Sequence, residues 1–304
     1  MLNTQGVHSN KVHRPFFSAK VLGYSAMILV LLIWSSFALS IRTIDSSSLT
    51  IADVALLRFI VPAILFAPWA ITHFKVIKTI KVIDLAFILL GGIPFVYLAA
   101  LGAKTVPTAY VATILAGTPG IFVAIITALF FAEIISKKRL LALSLILVGV
   151  VMMLLNERQS FSQQTLIGVG FLFAASACWA IFAVTLKRVN LKPITVVIIL
   201  SYLSGFIMLI LISSGMVESE IGRFSFQQAL PFIVIQGLGI GVVATFCFSY
   251  AINQLGARNA SLLGSISPAI TAFLAVPIFG ESLSLLIIGG IGVTIVGVIL
   301  SNRC

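Results

Sequence analysis

The chain has 304 residues, of which 60% are hydrophobic and 9% charged, whereas a soluble domain carries about a quarter of its residues charged. That composition excludes a water-soluble fold. The net charge of +11 then reads as membrane topology with contact to anionic lipid, and no nucleic-acid partner is expected.

A basic tail, residues 1–20, precedes ten apolar runs of about the length that a bilayer's hydrocarbon requires of a helix. They are Val21–Ile41, Val54–His73, Leu85–Thr105, Tyr110–Phe131, Leu140–Leu155, Leu166–Val189, Ile194–Ser214, Ala229–Gln254, Ala260–Phe279 and Ser284–Ser301. None alternates polar and apolar residues as a membrane barrel strand must. The expected fold class is therefore all-α, a polytopic membrane protein with ten transmembrane helices. Connections are short and leave no room for a soluble catalytic domain. With the N-terminus inside, the inner segments hold fourteen cations, Lys137, Lys138 and Arg139 among them, and the outer ones hold four: Arg42, Lys104, Arg158 and Arg223. The positive-inside rule thus places both termini in the cytoplasm.

Chemistry has little to work with. Cys178, Cys247 and Cys304 form no ligand spacing, and the first two read as small packing residues. No aspartate or ligand cluster lies within a span, and His73 stands only at the edge of one, so intramembrane proteolysis and metal catalysis lack their groups. Neither a cofactor nor a metal is expected, and the chain does not read as an enzyme.

The chain repeats itself. Gly117–Glu133, "GTPGIFVAIITALFFAE", returns as Ser265–Glu281, "SISPAITAFLAVPIFGE". "WSSFALS" from Trp34 pairs with "WAIFAVT" from Trp179, "LGAKTVPTAYVATI" aligns with "YAINQLGARNASLL", and Gly149 and Gly297 each follow the glutamate by sixteen residues. Residues 21–157 and 158–304 are therefore two five-helix units. The first span resembles a signal peptide, but its counterpart in the second unit argues that it is retained as structure. Because five is odd, the second unit enters the membrane from the opposite side. Such inverted repeats recur in secondary transporters, where two halves that exchange conformations give alternating access.

These residues resemble the EamA family of the drug/metabolite transporter superfamily. The resemblance spans Val21 to Ser301 and rests on the paired Trp-x-x-Phe-Ala helices, "LLRFIVPAILF", Pro119, Pro268 and "FGESLS". It implies a ten-helix bacterial inner-membrane carrier that moves a small molecule such as an amino acid or drug, commonly outward, through a cavity between the units. Ala132 departs from the pattern, standing where the family often has glycine.

Arg58 is the one ionisable side chain well inside a span, and an intramembrane charge costs at least about 2.5 kcal/mol unless satisfied. Pro62 has no N–H for the Arg58 carbonyl. Two readings are open: recognition or gating, or snorkelling and pairing with Asp53 or Asp45. Pro119 and Pro268 leave the carbonyls of Leu115 and Gly264 without donors and mark a cavity wall. Trp34, Trp179, Tyr97, Tyr202 and Tyr250 are candidate lining residues, with packing as the alternative. The hydroxyls of Ser35, Ser36, Thr113, Thr118, Ser265, Ser267 and Thr271 either face the cavity or bond back to their own helices. Glu133 and Glu281, at opposite faces, are expected to cap or gate rather than relay protons. The glycines at 237–241 and 289–292 read as packing surfaces rather than nucleotide loops. Gly290 and Gly297, seven apart, suggest a homodimer through the last helix. A lipid flippase and a channel-like facilitator stand as alternatives to the carrier.

Overall fold

The computed structural model describes residues 19–155 and 162–303; the first eighteen residues, the unit boundary at 157/158 and Cys304 lie outside them. Among the described residues the fold is all-helical. In chain order the elements are α1 (Ala19–Thr43), a 3₁₀ turn (Ile44–Ser46), α2 (Ile51–Leu65), α3 (Ala67–Ile77), α4 (Val82–Leu89), α5 (Ile93–Ala103), α6 (Thr108–Gly117), α7 (Pro119–Phe131) and α8 (Lys137–Leu154). There follow α9 (Gln163–Val189), α10 (Pro193–Ile199), a π-helical turn (Leu200–Ser204), α11 (Gly205–Ser213), α12 (Phe226–Phe232), a π-helical stretch (Ile233–Ala244), α13 (Thr245–Leu255), α14 (Ala257–Gly264), α15 (Ser267–Phe279) and α16 (Leu285–Ser301).

Helix starts are set by side chains that take up the orphan N–H groups of a first turn. Thr50 and Asp53 form a reciprocal capping box on α2, Ser225 and Gln228 form another on α12, and Ser136, Ser162 and Ser284 cap α8, α9 and α16. Proline sets the interruptions. Pro94, Pro119 and Pro268 each occupy the first or second position of a new helix, where the missing N–H costs nothing.

Seven helices among the described residues are long and apolar enough to cross a membrane: Ala19–Ser46, Val82–Ala103, Thr108–Phe131, Gln163–Val189, Pro193–Ser213, Phe226–Leu255 and Asn259–Phe279. The expected continuous second span, Val54–His73, is instead two helices, α2 and α3, bent by 97°. The cause is Pro68 at the second position of α3, which has no N–H for the Ile64 carbonyl and so cannot continue α2. Counted as one, the bent pair brings the total to eight. The other two expected spans are present as helices outside that set: α8, 18 residues long, opens with three cations, and α16 has 17 residues.

Two helices meet almost backbone to backbone. A Cβ on Gly290 would stand 2.5 Å from the Gly149 carbonyl oxygen, and one on Gly297 would stand 2.8 Å from that of Ala142. These contacts run α8 and α16 antiparallel. They also remove the argument for a dimer, because Gly290 and Gly297 are buried against α8 within the same chain.

The glycine-for-alanine departure is absorbed by strain. Ala132 closes α7 in the left-handed region (φ 51°, ψ 29°), as Gly280 closes α15 (φ 68°, ψ 20°). For an L-residue this conformation costs about 1 kcal/mol or more. Ala132→Gly is therefore expected to stabilise the protein by about 1 kcal/mol, read as a rise in its melting temperature in detergent.

Candidate functional site: a cavity with one buried cation

A cavity of about 340 Å³ opens among α1, α2, α5–α9, α13–α16 and the π-helical stretch. Its walls are largely apolar and carry five aromatic rings. Trp34, Phe37, Phe95, Trp179 and Phe248 all line it. Trp34 lies 5.1 Å from Phe248 between ring centroids, Phe37 stacks on Phe95 at 6.0 Å, and Phe95 lies 5.0 Å from Trp179. Trp34 and Trp179 are the paired tryptophans of the two Trp-x-x-Phe-Ala helices, and both stand in the wall.

Arg58 is 8% exposed and lines the same cavity. Its Nη1 donates to Gln236 Oε1 at 2.8 Å, Gln236 Nε2 donates to Ser40 Oγ at 2.7 Å, and Ser40 Oγ donates to the Phe37 carbonyl at 2.8 Å. The guanidinium carbon sits 5.1 Å over the Phe37 ring, a geometry in which the ring face attracts the cation.

The pairing offered as the bland reading of Arg58 does not occur. Asp53 Oδ2 accepts from the Thr50 N–H at 2.8 Å and the Glu220 N–H at 3.1 Å, while Oδ1 accepts from Ser219 Oγ at 2.5 Å. Asp45 pairs with Lys104 at 3.1 Å. The ion pairs among the described residues are this one, Arg188 with Asp84, and Arg223 with Glu220. Among the described residues Arg58 thus has a neutral partner and no counter-ion.

Gln236 is the residue that sequence reading missed. It is fully buried at the start of a π-helical stretch, a rare geometry that concentrates at functional sites. Its signal was an amide in the middle of the apolar run Ala229–Gln254, directly before the glycines. Those glycines do pack closely: a Cβ on Gly237 would meet Val61 at 2.8 Å, and one on Gly241 would meet Pro62 at 3.1 Å and the Arg58 carbonyl at 3.2 Å. Pro62 therefore sits behind Arg58, against the helix that carries its partner.

The proline breaks also reach the cavity. Leu115, Gly117, Pro119 and Gly120 line it from the first break, and Gly264, Ser265 and Ser267 from the second; Pro268 itself is buried behind them. Most of the nominated hydroxyls bond back to their own helix: Ser36 to Leu32 O, Thr113 to Ala109 O, Thr118 to Ile114 O, Ser265 to Leu262 O and Thr271 to Ser267 O. Ser35 instead crosses to Ser267, tying α1 to α15.

Three nominated tyrosines are not brought to this cavity. Tyr97 lines a separate polar recess with Asp45 and Lys104. Tyr202 donates to the Ala63 carbonyl at 2.9 Å, taking up an acceptor near the end of α2. Tyr250 is exposed on the outside of α13. Glu133 and Glu281 are also absent from the lining. Cys178 and Cys247 are free and half-buried.

Residues 166–303 match the EamA-like transporter family. An uncharacterized transporter of Clostridium kluyveri is 25% identical over 295 residues, covering 92% of each chain. A protein of known crystal structure, 14% identical, superposes with a TM-score of 0.62 over 93% of this chain and 95% of its own length, a likeness of fold. The apolar helices, the match over the second half and the likeness to a transporter along nearly the whole chain lead to one conclusion: this is an integral membrane protein of the transporter kind, whose second half is similar to the EamA-like transporter family of the drug/metabolite transporter superfamily.

Proposed function

We propose that the protein is a secondary carrier for a small solute bearing a carboxylate or other anionic group, and that it works by alternating access between two inverted five-helix units. The observation that carries this reading is Arg58, a buried cation on a cavity wall with an amide for a partner and no counter-ion. A solute anion supplies the missing charge, and the aromatic walls take an apolar body. Its charge-assisted hydrogen bond is about twice as strong as a neutral one.

The packing supports two related units. α5 lies against α9 as α13 lies against α1, α7 against α9 as α15 against α1, and α8 against α16 joins the halves. Each first-unit pair has a second-unit mate. In this reading the protein sits in the bacterial inner membrane with ten helices and cytoplasmic termini, and it moves solute outward. Catalysis has no place in it.

A lipid headgroup is the rival occupant, favoured by the largely apolar lining. Solute counterflow in proteoliposomes separates the two, using amino acids, organic acids and hydrophobic cations as the panel. Saturable exchange confined to solutes with a carboxylate is the expected result. No exchange by folded protein across the panel, together with scrambling of a fluorescent lipid, would transfer the function to the rival.

A further inference from the structure

One carboxylate joins the end of α15 to the start of α6. Glu281 follows the left-handed Gly280; its Oε1 accepts from the Thr108 N–H at 2.8 Å and from Thr108 Oγ1 at 2.7 Å, and its Oε2 lies 3.1 Å from the same nitrogen. Thr108 is the first residue of α6, where N–H groups lack helical acceptors and the helix dipole favours an anion. A side chain 173 positions away therefore does what a local cap does elsewhere, and α6 packs along α15 behind it.

The repeat says that this contact has a mate. Glu281 aligns with Glu133, and Thr108 with Ala257, the first residue of α14. Since the end of α15 meets the start of α6, the two spans run antiparallel. The mate therefore belongs at the opposite face, and there it is unmade. Glu133 is exposed and has no hydrogen bond or ion pair through its carboxylate among the described residues. Nor does α14 pack on α7 as α6 packs on α15.

The cavity agrees about which face is open. Ser261, Gly264, Ser301 and Asn302 line it. The antiparallel α8 and α16 place the last two residues beside the start of α8, just past Glu133. Among the described residues the cavity lining reaches the Glu133 face through Ser301 and Asn302 and includes neither Glu281 nor Thr108 at the other face.

We propose that Glu281 and Glu133 are alternating latches. Glu281 on the N-terminus of α6 holds one face shut in this conformation, and Glu133 on the first N–H groups of α14 holds the other shut in the conformation reached when the halves exchange roles. The inference rests on the two-state carrier reading, but it is tested by distances rather than by transport.

Nitroxide pairs at Thr105 and Ser282, and at Ile134 and Asn253, report the two faces in a variant whose native cysteines are replaced by serine. Pulsed electron resonance should give a short first distance and a long second one. Glu281→Ala is expected to lengthen the first and shorten the second, shifting the ratio of the two states about tenfold or more, as loss of a charged hydrogen bond implies. Adding Glu133→Ala should reverse the shift. If Glu281→Ala does not fold, Glu281→Gln keeps an acceptor oxygen and should move the distances the same way by less. Unchanged distances in folded Glu281 variants would overturn the latch, as would opening of the Glu281 face by Glu133→Ala alone. Latches that switch in a protein that exchanges no solute would leave this inference standing and remove the carrier reading.

Discussion

Arg58→Gln is expected to weaken exchange of carboxylate-bearing solutes by about ten- to a hundredfold, the span that one charge-assisted hydrogen bond covers, and to leave uncharged solutes little affected. The argument comes from the missing counter-ion. A carboxylate entering the cavity meets a guanidinium already desolvated and already aimed, because Gln236 holds Nη1 at 2.8 Å and Phe37 lies beneath it. Stability should hold or rise, since removing an unpaired buried charge removes its desolvation cost. The same idea has a sharper form in Gln236→Glu. That variant keeps Arg58 but gives it an internal anion, so it should depress anionic exchange as Arg58→Gln does while the fold gains an ion pair. Concentration-dependent counterflow alongside thermal melting measures both. Full-affinity anionic exchange by either folded variant would end the charge-recognition reading.

The largest loss of stability is expected at the seam between α8 and α16. A Cβ on Gly149 would fall on Thr294 Oγ1 and stand 2.5 Å from the Gly290 carbonyl oxygen. Backbone atoms on two packed helices cannot give way as a flexible side chain does. Gly149→Ala is thus expected to cost about 3 kcal/mol, the upper end of ordinary overpacking, seen as a marked fall in melting temperature and in recovery of monodisperse protein from detergent. Gly292→Ala is the matched comparison, on the same face-to-face pair of helices but with open space where its Cβ would go. There the gain in helix propensity should stabilise by roughly 0.5 kcal/mol. Equal behaviour of the two variants would mean that the seam is looser than these distances imply.

Much of this architecture is legible in the chain. The apolar runs form helices among the described residues, because burial in hydrocarbon leaves the backbone few alternatives, but seven of them are long and apolar enough to cross a membrane, or eight with the bent pair counted as one. The tryptophan pair and the proline breaks reached the cavity, since an internal repeat marks what both halves need. What escaped were long-range polar partnerships. Nothing local to Arg58 names Gln236, 178 positions away, and nothing local to Asp53 shows that its carboxylate is taken up by Ser219 and Glu220. The tyrosines were misjudged for a related reason: an aromatic ring with a polar tip looks alike in sequence whether the tip meets a cavity or, as in Tyr202, a stray carbonyl. The bend after α2 had a visible cause in Pro68, but an average over twenty residues hides a single missing N–H.

That bend bears on the lipid around the protein. Beyond it, α2 alone supplies 15 residues, roughly 22 Å at 1.5 Å per residue, against about 30 Å of hydrocarbon in a typical bilayer. α3, turned 97° away, carries Trp69, His73 and Lys75, residue types suited to the headgroup layer. α16, with 17 residues, is short as well. A crossing shorter than the hydrocarbon around it is a hydrophobic mismatch, which a bilayer meets by thinning locally, so the protein is expected to be more stable in bilayers of short acyl chains than in thick ones.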